Sequence, residues 1–290
     1  MSIPVSNIQD LFATAHDEGI LSQASLKVLA VDDVGQSIQN ALGVDVSTIH
    51  SSAPMIGSLL VDDSASIRFG SNSQAVRDGH NFCLKALRDS KQGSGILVSC
   101  RYINGTQLYP FVPLDRALEM TAANYNPNGS TPLYDAIVEN LGGVVLKIQE
   151  FANIGSAARS SNWIFTDGHD EFSRRNTIDQ ARSVITDLLK METNIVGAVG
   201  VKYSQNDDFY RIFCGRSEDE VDRARADGTL ELLEPAGGLG IWPRWVLTPN
   251  NTQSEIRKAW QVVSQSNVRA SQATGAAFSQ FAAGGFAAKP

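Results

Sequence analysis

The chain has no basic block. Its 24 Lys and Arg are scattered among 31 Asp and Glu, leaving a formal charge of −7 and a pI of about 5.1. This argues against a phosphate-tracking surface, and so against a nucleic-acid partner. Cysteine is scarce: Cys83, Cys100 and Cys214 are odd in number, widely spaced and without a C-x-x-C. That excludes a disulfide framework and a zinc site of the usual spacing, and predicts buried reduced thiols. No run of about 18 apolar residues occurs, and Met1–Asp10 lacks a basic stretch followed by a long apolar one, so no membrane partner is expected and the chain reads as cytoplasmic. Histidine is rare as well, with His16, His50 and His80 isolated and only His169 near other polar loop residues.

What the chain does have is core-forming material: 42% of its 290 residues are apolar, enough for one large domain with or without an appendage. Residues 1–52 read as a helical hairpin. Ile8, Leu11, Phe12 and Ala15 recur at helical spacing, Gly19 breaks the pattern, and Leu26, Leu29, Val34, Ile38 and Leu42 resume it after Ser25, a candidate N-cap. From Pro54 onward, short apolar runs at 56–61, 96–100, 163–165 and 195–201 alternate with amphipathic stretches, the pattern of parallel βαβ units. Residues 108–112 read as an antiparallel edge strand, joined to 96–100 through Asn104-Gly105. The expected fold class is α/β, a Rossmann-like, doubly wound, mostly parallel sheet with helices on both faces over residues 53–272. An Ala/Gly-rich, flexible tail is expected over 273–290.

Three separated strings carry oxygen ligands of the kind a small hard cation takes: Asp62-Asp63-Ser64-Ala65-Ser66, Gly129-Ser130-Thr131-Pro132 and Thr166-Asp167-Gly168. A D-x-S-x-S string just after a strand lets residues i, i+2 and i+4 converge where the backbone turns. Thr131 before Pro132 reads as an N-cap with proline at the first helical position. In an open α/β sheet all three strings fall at the carboxyl ends of strands, where ligands bind. Asp63 should point away from Asp62 as a solvated or loop-bonding carboxylate, and His169 and Asp170 read as loop polarity or as a rim to the site. Gly237-Gly238-Leu239-Gly240 leads into Ile241-Trp242-Pro243 and not into a helix, so it reads as a turn rather than a phosphate loop, and Trp242 and Trp245 read as packing residues.

The segments Leu60–Ile67, Gly129–Ile137 and Phe165–Gly168 resemble, in order, spacing and flanks, the metal-ion-dependent adhesion site (MIDAS) of von Willebrand factor type A (vWA) domains, over roughly residues 54–272. The resemblance implies a Mg²⁺, with Mn²⁺ as the alternative, held by Ser64, Ser66 and Thr131 directly or through water, and by Asp62 and Asp167 mainly through water. It also implies that an Asp or Glu of a partner protein completes the coordination. Ala65 and Ile67 replace the glycine and methionine common in the intracellular bacterial members, without loss of a ligand position. The function so implied is a non-enzymatic, metal-dependent protein-interaction module of a cytoplasmic multi-protein stress or defence system, with an AAA+ ATPase as a candidate partner. The alternatives are a metal-assisted phosphoester hydrolase using His169 as base, and a purely structural assembly subunit.

Overall fold

The computed structural model describes residues 5–49, 51, 53–90, 95–204 and 207–272. His50 and the tail at 273–290 lie outside them. The apolar runs form β1 (Met55–Val61), β2 (Ile96–Tyr102), β3 (Gln107–Pro113), β4 (Arg159–Thr166) and β5 (Asn194–Gly200), and a two-residue β6 (Val246–Leu247) joins at the far edge. The strands lie in the order β3-β2-β1-β4-β5-β6. Every pairing is parallel except the β2–β3 hairpin. The chain leaves β1 toward β2 on one side and later returns to β4 on the other, so the topological switch point lies between β1 and β4.

The helices are α1 (Val5–Asp17), α2 (Gln23–Leu29), α3 (Asp32–Ala41), α4 (Asn72–Arg88), α5 (Leu133–Asn153), α6 (Ile178–Lys190), α7 (Phe209–Cys214), α8 (Glu218–Ala226) and α9 (Gln253–Gln272). The alternation along β4 covers both faces of the sheet. Its odd residues meet α9: Ser161 and the Trp163 indole both bond Asn267, and Phe165 stacks on Trp260. Its even residues face α5, where Asn162, Ser58 and Asn140 form a buried hydrogen-bonded file. Among the described residues no helix is long and apolar enough to cross a membrane. All three cysteines are free and buried, as expected.

The N-terminal hairpin is present with its second arm broken. Ser22, not Ser25, caps α2, and the helix stops at Ala30 before α3 restarts. The cap lies three residues early because Asp187 of α6 takes both the Ser22 N–H (2.7 Å) and its hydroxyl (2.6 Å), anchoring the chain there. α1 and α3 pack on α5 and α2 packs on α6, so α5 is buried nearly all round. Its polar residues are accordingly paired: Glu139 with Arg101 and Arg175, Lys147 with Glu150.

His80 on α4 is fully buried between Asn81 Oδ1 (2.9 Å) and the Tyr109 hydroxyl (3.0 Å), two partners that a neutral ring satisfies as donor and acceptor. Burial depresses its pKa to about 4. The neutral ring therefore gives its full stability above the unfolded-chain value near 6.5, and loses it as pH falls from there toward 4. By pH 4 the loss amounts to roughly 3 kcal/mol. Urea unfolding at pH 7 and pH 5 should show this slope in the wild type and a shallower one in His80→Gln.

Candidate metal centre

The three strings converge at the switch point. Val61 pairs with Phe165 in the β1–β4 ladder, and the Asp62 N–H continues it by donating to Phe165 O (2.8 Å). This register sets Asp62 beside Thr166 and Asp167. Asp62 is wholly buried and its carboxylate is fixed by the chain itself: Oδ1 accepts from Ser64 N–H (2.7 Å), Oδ2 from the Thr166 hydroxyl (2.6 Å). The turn after β1 then brings the i+2 and i+4 hydroxyls together, with Ser64 Oγ and Ser66 Oγ 2.9 Å apart. Both point at Asp167 Oδ1, Ser66 at 2.9 Å and Ser64 at 3.4 Å.

Asp167 Oδ2 is buried with no hydrogen-bond partner. Burial, reinforced by the neighbouring charge of Asp62, pushes the Asp167 pKa up to about 7. Two carboxylates and two hydroxyls thus meet in a water-poor pocket, and among the described residues no Lys, Arg or His side chain is hydrogen-bonded to either carboxylate. That is the donor set of a hard divalent cation, and the residues fit one. Among the described residues no group of three or more His, Cys, Asp or Glu side chains is placed to hold a metal ion, and this pocket brings two carboxylates together with hydroxyls.

Thr131 departs from expectation in one respect. Pro132, with φ −77° and ψ 66°, takes the N-cap position, and α5 has no side-chain cap from the preceding segment. The cap comes instead from the loop after β4, where Asp170 Oδ1 accepts the Tyr134 N–H (3.2 Å) and Ser173 Oγ accepts the Asp135 N–H (3.0 Å). Asp135 reciprocates by accepting the N–H groups of Arg174 (2.9 Å), Arg175 (3.2 Å) and Asn176 (2.8 Å). The Thr131 side chain is released from capping and lies beside Gly168, where an added Cβ would stand 3.9 Å from both its hydroxyl and its methyl. Asp170 is therefore a helix cap.

Asp63 bonds loops together. Its Oδ1 accepts the Asn104 N–H (3.1 Å) and its carbonyl accepts those of Asn128 and Gly129 (both 2.9 Å), which stitches the second string to the first. It is 5% exposed, so the solvated alternative does not hold. Burial raises its pKa to about 6. The His169 ring stacks on Phe209, with centroids 6.1 Å apart. Positive φ at Gly237, Gly238 and Gly240 agrees with a turn there.

Two tyrosines that the sequence does not announce also shape the pocket. The Tyr125 hydroxyl donates to Asp62 O (2.6 Å), holding the strand end from below. The Tyr203 hydroxyl donates to Ser66 O, and burial together with the Asp167 charge pushes its pKa up to about 12. Neither belongs to a local motif. Only a strand-end position for Tyr203, just past β5, could have pointed to it.

No protein-family model and no curated protein matches the chain. Solved structures are similar to it in fold. They include the pilus adhesin SpaC of Lactobacillus rhamnosus GG in its open conformation (TM-score 0.49, 12% identity, 75% of this chain and 30% of that one). Proximal thread matrix protein 1 from the mussel byssus is another (TM-score 0.42, 14% identity, 82% and 53%), and that protein has also been seen with a zinc-occupied MIDAS motif. A third is manganese-loaded TRAP of Plasmodium vivax (TM-score 0.39, 18% identity, 72% and 74%). The chain spans 30% of the SpaC chain and 53% of the mussel protein. The strand order, the antiparallel β3 edge and the helices on both faces are those of a Rossmann-like, doubly wound α/β fold.

Proposed function

We propose that the chain is a metal-dependent protein-interaction module, and that Ser64, Ser66, Thr131, Asp62 and Asp167 hold a divalent cation, Mg²⁺ or Mn²⁺. The observation that carries this reading is the buried, unpartnered Asp167 Oδ2 beside the Ser64 and Ser66 hydroxyls and Asp62. Asp62 and Asp167 offset the charge of the cation, while neutral hydroxyls supply the close contacts. A cation so held keeps enough electrophilicity to take an Asp or Glu carboxylate offered by a partner. Tyr125 and Thr166 hold Asp62 in place, and Tyr203 holds the backbone of Ser66, so the pocket is set before anything binds.

In this reading residues 53–272 carry the module, and α1, α2 and α3 pack on α5 and α6 as a helical layer. The module is non-enzymatic in this reading. By the resemblance alone, the setting is a cytoplasmic bacterial assembly and the partner class an AAA+ ATPase. Affinity capture on the full chain in Mg²⁺ and in EDTA tests the proposal. The partner should be lost in EDTA and lost with Ser66→Ala in Mg²⁺. Retention in both would refute a metal-bridged contact.

A further inference from the structure

A cavity of about 450 Å³ opens between α1, α3, the segment after α3 and the C-terminal turn of α5. Lys147 lies fourteen residues beyond the start of α5, so the cavity is about 20 Å along that helix from the metal pocket at its other end. Its size is that of a small-molecule site. Leu11, Leu42, Val46 and Ile154 supply an apolar wall.

The polar groups in it are unbalanced. Lys147 Nζ donates to Val44 O (2.7 Å) and to Glu150 Oε2 (2.8 Å), which uses one oxygen of that carboxylate. The other, Glu150 Oε1, is buried without a donor, on a residue only 8% exposed. Asp10 and Asp45 stand at the exposed mouth. Among the side chains of the described residues three carboxylates accompany one ammonium, and the C-terminal end of the α5 dipole adds negative potential at the same place. Burial lowers the Lys147 pKa and raises that of Glu150, which marks how little water reaches the pair. A group that fits must donate a hydrogen bond to Glu150 Oε1, carry positive charge past Asp10 and Asp45, and bury an apolar body against the wall.

We infer that this cavity is a binding site for a small organic ammonium compound, an amine on an apolar body, seated with its nitrogen on Glu150 and its body between α1 and α5. The site is independent of the metal pocket and does not rest on the function proposed above.

The test is an NMR titration of the full chain, in EDTA, with n-hexylammonium, n-hexanol and hexanoate. Hexylammonium should give saturable amide shifts in α1, α3 and the last turns of α5, with none at 62–66 or 166–168. Hexanol should bind at least about tenfold more weakly, and hexanoate should leave these amides unmoved. Glu150→Gln should erase the preference of hexylammonium over hexanol, and Leu11→Trp, which fills the cavity from its wall, should abolish both. Absence of saturable shifts up to about 10 mM hexylammonium, or hexanol or hexanoate binding as well as the ammonium, would overturn the inference. The three-ligand comparison on the wild type decides this even if a variant fails to fold.

Discussion

Asp167→Asn will make the metal-free protein at least as stable as the wild type and will remove its response to Mg²⁺. The two effects have one cause. Asp167 is 6% exposed, receives hydrogen bonds from Ser66 and Ser64 on one oxygen only, and keeps its other oxygen buried and unpartnered. An amide of the same shape carries no charge to desolvate, and so removes a cost that the metal-free fold bears. The same change deletes one of the two carboxylates that balance the cation. At a Mg²⁺ concentration 100 times its dissociation constant the wild type should gain about 2.7 kcal/mol; the variant should gain nothing measurable. The pH dependence in EDTA follows the same group. The fold holds the Asp167 proton more tightly than the unfolded chain does, so its contribution is complete below about pH 4 and is lost as pH rises through about 7. The asparagine variant should lack that slope. Thermal unfolding with and without Mg²⁺ reads both effects, and an equal Mg²⁺ gain in the variant would sink the argument.

Gly79→Ala will destabilise the fold by at least about 2 kcal/mol. In an open helix the substitution would stabilise by about 1 kcal/mol. Gly79, however, is where α4 and α9 cross, and an added Cβ would stand 2.1 Å from Trp260 Cγ and 2.3 Å from its Cδ1. Trp260 cannot yield. It is 2% exposed and stacks on Phe165, two residues before Asp167, with ring centroids 5.3 Å apart. The variant should therefore also weaken the metal response through β4. Gly155→Ala is the control: φ is +74° there and the space is open, so only the backbone penalty of about 1 kcal/mol applies. Equal losses in chemical unfolding of the two variants would contradict the steric account.

The large elements were legible because each carries its own period. The runs at 56–61, 96–100 and 195–201 became β1, β2 and β5 with shifts of a residue or two. The hairpin edge at 108–112 became β3. By contrast β6 is two residues long and held by pairing to β5, and α7 and α8 are short, so no periodicity marks them. Asp62, Ser64, Ser66 and Asp167 lie together as the sequence led one to expect, because the first and third strings directly follow β1 and β4. The parts that fix their geometry could not be read there. Tyr125, Tyr203, Asp170 and Ser173 act across long sequence separations, on backbone atoms that no motif records. The same holds for Thr131, whose capping signal is sound locally and is overridden because the loop after β4 supplies the cap. Nothing local marks Gly79 either, since the side chain that excludes a Cβ there, Trp260, lies far along the chain.

The most direct test of the central claim is the anomalous difference map of crystals grown in Mn²⁺. A single strong peak bounded by Ser64, Ser66 and Thr131, with Asp62 and Asp167 behind it and absent in Asp167→Asn, is the predicted result. Ordered density for these five residues with no peak among them, or a peak that survives Asp167→Asn unchanged, would contradict it.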